Sequence, residues 1–289
     1  MPFRVIPRLD IKGPNLVKGF HLEGLRVLGK PEQFARHYAE NGADELLYMD
    51  VVASLYGRNS LVDIVERTAR EIFIPLTVGG GLRTIDDVST VLRAGADKVA
   101  LNTAAIGNPG LVREAARRFG TSTIVIAIEA KHKTNGTYEA YTDNGRQPTG
   151  VDAIEWALRA VELGAGEILL TSIEREGTGR GFDLHLIRKI AEMVPVPVIA
   201  HGGAGNVNHI MAAIQQGQAD AVAVASILHY GFIRNQPIEG DYSGEGNTEY
   251  LRSRRSFKSV QPLALTEIKA QLAVAGIDGR PAFVTHNDV

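Results

Sequence analysis

The chain has 289 residues, with 31 Lys+Arg against 33 Asp+Glu, 44% hydrophobic residues, 31 Gly and no Cys. The near-neutral balance gives no electrostatic footprint for nucleic acid, and the absence of Cys excludes disulfides, thiolate metal sites and cysteine nucleophiles. The start, MPFRVIPRLD, lacks the charged-then-apolar layout of a secretory signal, and no apolar run reaches membrane-spanning length, so a soluble cytoplasmic protein without a membrane partner is expected.

In chain order, short apolar runs predict strands over Val5–Leu9, Leu46–Val52, Pro75–Val78, Lys98–Leu101, Ile124–Ile128, Glu167–Thr171, Pro197–Ala200 and Ala221–Ala225. They are apolar almost throughout, as strands covered on both faces should be. Between them, helical periodicity predicts helices over Pro31–Asn41, Leu61–Ile72, Thr84–Ala94, Pro109–Phe119, Val151–Leu163, Asp183–Met193, Val207–Gln216 and Leu263–Ala275. Eight strand-helix units predict a (β/α)8 barrel filling 1–289 as one domain. A doubly wound sheet is disfavoured because no GxGxxG follows the first strand.

The chain also repeats itself. Gly42 and Gly164 lie 122 residues apart, as do Gly95 and Gly217, and each follows a predicted helix. Two half-barrels, about 1–122 and 123–289, are therefore expected. Thr137–Thr149 reads as a hairpin around Asn144-Gly145. Residues 235–260 form a polar insertion before the last helix, and Val284–Val289 read as a frayed tail.

Barrel sites sit at the carboxyl ends of the strands. There Gly80 and Gly81 precede a helix, beside Asn102 and Thr103 at the next strand end. In the second half Gly202 and Gly203 stand near Ser226. Backbone N–H groups freed by glycine, with a helix N-terminus behind them, suit phosphate, and two such cradles imply a substrate phosphorylated at both ends. Thr171 and Glu176 add polar groups after strand six, and Asp50 does so after strand two. Lys18, in a segment read as a mobile loop after strand one, is a candidate phosphate ligand. Asp10 and Glu129 close strands one and five, facing each other across the mouth as a candidate acid/base pair. No metal site is indicated, because His21, His201 and His229 lack ligand spacing, and no cofactor is expected. At strand starts, Arg4, Glu45, Lys98 and Glu167 read locally as a stabilising ion-pair cluster.

The segments IPRLDIK, GADELLYMD, IPLTVGGGLRT, GADKVALNTAA, IVIAIEAK, LGAGEILLTSIEREGT and VPVIAHGGAG together resemble the HisF family, the cyclase subunit of imidazole glycerol phosphate synthase, from about Val5 to Tyr230. The resemblance implies a HisH-type glutaminase docked on the strand-start end, with ammonia passing through the barrel. It makes Arg4, Glu45, Lys98 and Glu167 an ammonia gate, and matches Asp10 and Lys18 to the family's catalytic aspartate and loop lysine. Four positions depart from the family pattern: Glu129, Glu174 and Glu176 replace aspartates, and Arg8 replaces a cysteine, adding a cation close to Asp10. With the segments GPNLVKGFHLEGLRVLG and DVVASLYGRNSL, these departures resemble a divergent branch associated with acetamidino-sugar biosynthesis, in which an N-acetyl sugar amidotransferase receives the ammonia. That branch is the expected assignment. Authentic histidine-pathway cyclase and a catalytically reduced ammonia-channelling scaffold are the alternatives.

Overall fold

The computed structural model describes residues 2–53, 61–235, 240, 242, 247, 248 and 258–281. Eight strands pair in parallel in the order β1 (Arg4–Lys12), β4 (Leu46–Asp50), β5 (Leu76–Gly79), β6 (Lys98–Leu101), β7 (Ile124–His132), β10 (Glu167–Ser172), β11 (Val198–His201) and β12 (Ala221–Val224). The β12–β1 pairing, with Arg4 opposite Ala221, closes the ring. This is the predicted (β/α)8 barrel. Side chains alternate across each strand. On β1, Val5, Leu9 and Ile11 pack outward in the core beneath the helices, while Ile6 belongs to a second cluster inside the barrel with Leu47, Leu169 and Ile199.

Helices follow the strands largely as predicted, and local chemistry sets their ends. Thr84 accepts from Asp87 N in a capping box ahead of Ile85–Arg93. The Asp152 side chain accepts from Ile154 N and Glu155 N to start Ala153–Leu163, and Gly164 (φ 111°) ends that helix in the left-handed conformation. Among the described residues no helix is long and apolar enough to cross a membrane.

Each half of the barrel opens with a nine-residue strand whose far end continues into an antiparallel hairpin. The hairpin after β7, formed by β8 (Tyr138–Thr142) and β9 (Gln147–Asp152), was predicted. The one after β1, formed by β2 (Asn15–Phe20) and β3 (Glu23–Gly29), corrects the expectation of a loop there. Among the described residues two further α-helices were not predicted. Thr103–Gly107 and Ser226–Asn235 begin directly after β6 and β12, at positions 123 residues apart. Most of the 235–260 insertion and the whole 284–289 tail lie outside the described residues.

Candidate active site

At the carboxyl ends of the strands the two glycine runs adopt matching geometry. Gly80 and Gly81 have φ of 97° and 74°, and Gly202 and Gly203 have 93° and 111°. A Cβ on Gly80 would stand 2.3 Å from the Asp50 carbonyl oxygen, and one on Gly202 would stand 2.8 Å from that of Ser172. Both pairs are 122 residues apart, so the halves repeat in space the close approach that their sequences repeat. Glycine is required at Gly80 on two counts, positive φ and the lack of room. Gly80→Ala is accordingly expected to destabilise the chain by about 1–3 kcal/mol and to weaken phosphate binding, both readable by thermal melts with and without inorganic phosphate.

The cradles differ in occupancy of space. The first opens into a cavity of about 340 Å³ lined by Asp50, Gly80, Gly81, Arg83, Asn102, Thr103, Glu129 and Asn144. The second, bounded by Lys18, Glu176, His201, Gly202, Gly203 and Ser226, keeps only about 20 Å³. The first hairpin closes it. Lys18 lies on β2, not in a loop, and is 2% exposed, and its Nζ is ion-paired with Glu176. The other Glu176 oxygen accepts from Leu22 N at 2.8 Å, and the Glu176 carbonyl accepts from His21 N at 3.1 Å. His21 and Leu22 both have positive φ. Glu176 therefore holds a turn that these residue types do not favour on their own. The two hairpin tips also meet: Asn144 Nδ2 donates to the Leu22 carbonyl at 3.0 Å.

Glu129 faces the open cavity. Its Oε2 accepts from Asn102 Nδ2 at 3.0 Å and from Gly145 N at 2.8 Å, so the β8–β9 turn fixes its orientation. Burial raises its pKa to about 7, and Asp10 adds to the rise, while Arg8, the Gly145 N–H and Arg146 partly offset it. The Oδ1 of Asn102 is buried with no partner among the described residues, leaving an acceptor at the cavity wall. Asp10 does not line this cavity. Its Oδ1 accepts from Arg8 Nε at 2.8 Å, and its charge is felt at Glu129. Thr171 lines neither cavity and takes part in the same internal network. Arg8 Nη1 donates to Thr171 Oγ1 at 3.3 Å and to His201 Nδ1 at 3.0 Å. Burial and then the Arg8 charge lower the His201 pKa well below its ordinary value, so the ring is neutral. His229 is structural. Its Nδ1 accepts from the Tyr38 hydroxyl at 2.7 Å, and its Nε2 donates to the Arg8 carbonyl at 3.0 Å.

At the opposite end, the four strand-start charges meet in one ring. Arg4 Nη1 lies 3.0 Å from Glu45 and 2.9 Å from Glu167, and Lys98 Nζ lies 3.0 Å from each. Thr77 donates to the second Glu45 oxygen. Two cations and two anions alternate, so every charge has two opposite neighbours.

The sequence marks Arg8 as a departure from a pattern and as a cation close to Asp10, and the structure pairs the two. Its partners Thr171 and His201 depend on cross-barrel contacts that no local signal announces, and the contribution of Gly145 to Glu129 depends on how the following hairpin folds back on β7. Asn144-Gly145 was legible as a turn, but not as the support of a carboxylate.

A sequence-family model described as "Histidine biosynthesis protein" matches residues 4–234. The chain is 60% identical over 202 residues to the imidazole glycerol phosphate synthase subunit HisF of Legionella pneumophila, a match spanning 70% of this chain and 95% of that relative. On these matches, the chain that builds this closed barrel, with twin glycine cradles at one end and a charged ring at the other, belongs to the HisF family of histidine biosynthesis proteins.

Proposed function

We propose that the chain acts as the cyclase subunit of an imidazole glycerol phosphate synthase, fed with ammonia by a HisH-type glutaminase. The observation that carries this reading is the placement of a buried, protonatable Glu129 in one cavity with the Gly80–Gly81 cradle and Thr103. The substrate is then a doubly phosphorylated ribulosyl aminoimidazole carboxamide, with one phosphate on each cradle and the reacting atoms between them. With its pKa raised by burial to about 7, Glu129 serves as the general acid. Asp10, oriented by Arg8, serves as the base. Resemblance over nearly the whole of a HisF relative supports this pathway over the sugar branch.

The acetamidino-sugar reading keeps the support of the departures Arg8, Glu129, Glu174 and Glu176 and of the segments GPNLVKGFHLEGLRVLG and DVVASLYGRNSL. An assay of the chain with a HisH-type glutaminase, glutamine and the carboxamide substrate separates the readings. Imidazole glycerol phosphate formed at turnover typical of enzymes, about 1 s⁻¹ or faster, is the expected result. Glutaminase stimulation without that product would refute it in favour of the sugar branch or the scaffold. Those two differ in turn: Asp10→Asn would abolish sugar modification if this chain performs chemistry, and leave it intact if the chain only conducts ammonia.

For the partner's seat, the strand-start end offers Phe73, 94% exposed, beside a hollow of about 410 Å³ lined by Ile72, Ile74, Pro75 and Asp97. Asp97 directly precedes the ring residue Lys98. Phe73→Glu is expected to weaken glutaminase binding by about 30-fold or more, the effect of losing an interface anchor. Calorimetric titration reads the affinity, and the cyclase rate with added ammonium should be unchanged.

A further inference from the structure

Arg8 orients Asp10 through Nε alone, which leaves the rest of its guanidinium without a role, yet it is among the most deeply buried large side chains, at 1% exposed. It points into the barrel, since it starts on β1 and reaches Thr171 on β10 and His201 on β11, strands that do not adjoin β1. Its guanidinium therefore crosses the interior one level below the mouth. Nε and Nη1 are engaged by Asp10, Thr171 and His201, whereas Nη2 is buried with no partner among the described residues. A buried donor left without an acceptor is costly, which marks the position as one whose unmet hydrogen bond a small acceptor would satisfy.

Four residues earlier on the same strand face stands Arg4, in the charged ring, about 13 Å away at the rise of an extended strand. Its Nη2 is likewise buried and unpartnered. Between the two levels the inward positions Ile6, Leu47, Ala100 and Leu169 are apolar. Such a layer favours an uncharged molecule over an ion.

We propose that Arg8 Nη2 is a binding station for neutral ammonia inside the barrel, donating a hydrogen bond to its lone pair while the guanidinium charge repels ammonium. Ammonia has the acceptor pair that Nη2 lacks; ammonium has four donors and none to offer. The station lies directly below the Asp10 and Glu129 level, so what it releases reaches the reacting centre. This inference rests on the cyclase reading above and adds a nitrogen-source subsite to it.

The test uses the complex with its glutaminase and compares Arg8→Met with Arg8→Lys, following glutamate and cyclised product with either glutamine or ammonium chloride as nitrogen source. In the wild type, glutamate and product should form in equal amounts. Arg8→Met should form glutamate in about tenfold excess over product, the effect of losing one hydrogen bond to a charged group. Ammonium chloride, which enters from the open mouth, should recover proportionally more product than glutamine does. Arg8→Lys, keeping a charge and donors, should remain closer to equal amounts. Equal amounts in Arg8→Met, or an identical fall with both nitrogen sources, would overturn the station and leave Arg8 as a positioning residue for Asp10. Should Arg8→Met not fold, Arg8→Gln is read by the same ratio. A wild-type complex that makes no product from either source would instead refute the cyclase reading, which keeps the two failures distinct.

Discussion

Glu129→Gln is expected to lower cyclase turnover by about 10²–10⁴-fold, the usual worth of a positioned general acid, and to erase a pH limb near 7. Burial, reinforced by Asp10, raises the Glu129 pKa from 4.5 to about 7. The proton-donating form is therefore lost as pH rises through 7, and the wild-type rate should decline on that side. The same shift is a statement about stability. A carboxyl whose folded pKa is raised favours the fold below its unfolded pKa and loses that contribution as pH climbs through the folded one. The shift corresponds to about 3 kcal/mol, fully present below about pH 4.5 and gone above about 7. Urea unfolding at pH 5 and pH 8 should show Glu129→Gln flatter than wild type by about 2 kcal/mol across that interval. Parallel pH dependences, or a rate that survives the substitution, would remove Glu129 from the chemistry.

A second large effect is expected at the closed cradle. Glu176→Ala strands the Lys18 ammonium, 2% exposed, without its counter-charge, and releases Leu22 N and the strained His21-Leu22 turn. Removing one partner of a buried ion pair costs about 3–5 kcal/mol, whereas replacing both with matched apolar groups is often close to neutral. Denaturant unfolding should therefore find Glu176→Ala strongly destabilised, and the pair Lys18→Met with Glu176→Leu much less so. A cost below about 1 kcal/mol for Glu176→Ala, the level of a surface pair, would show that the hairpin is not held this way.

The asymmetry between the two cradles gives that pair its meaning. One site stands open and the other is covered by a hairpin whose Lys18, paired with Glu176 from beyond β10, occupies the space that an anion would need. On the proposed reading, phosphate at the second cradle would compete with Glu176 for Lys18, and its binding would be linked to movement of the first hairpin.

Much of this was legible in the sequence, because the barrel is written in local patterns. Apolar runs such as Ile124–Ile128 predict doubly covered strands, the 122-residue repeat of glycines predicts the twofold plan, and a charge at the start of each of four strands predicts a ring. The β8–β9 hairpin was readable because Asn144-Gly145 tolerates positive φ. The β2–β3 hairpin was not, because its turn is His21-Leu22, types that avoid that conformation and are kept there by Glu176 and Asn144 from distant parts of the chain. Arg8 was opaque for the same reason. Its partners Thr171 and His201 lie 163 and 193 residues away, and only closure of the barrel brings them together. The five-residue helix Thr103–Gly107 is too short to carry a periodic signal.

The most direct test is a crystal structure of the chain grown in inorganic phosphate. The account predicts two anions, one against Gly81 and Thr103 and one against Gly203 and Ser226, the second accompanied by separation of Lys18 from Glu176. A single anion at the first cradle, with the Lys18–Glu176 pair intact at saturating phosphate, would contradict a substrate anchored at both ends.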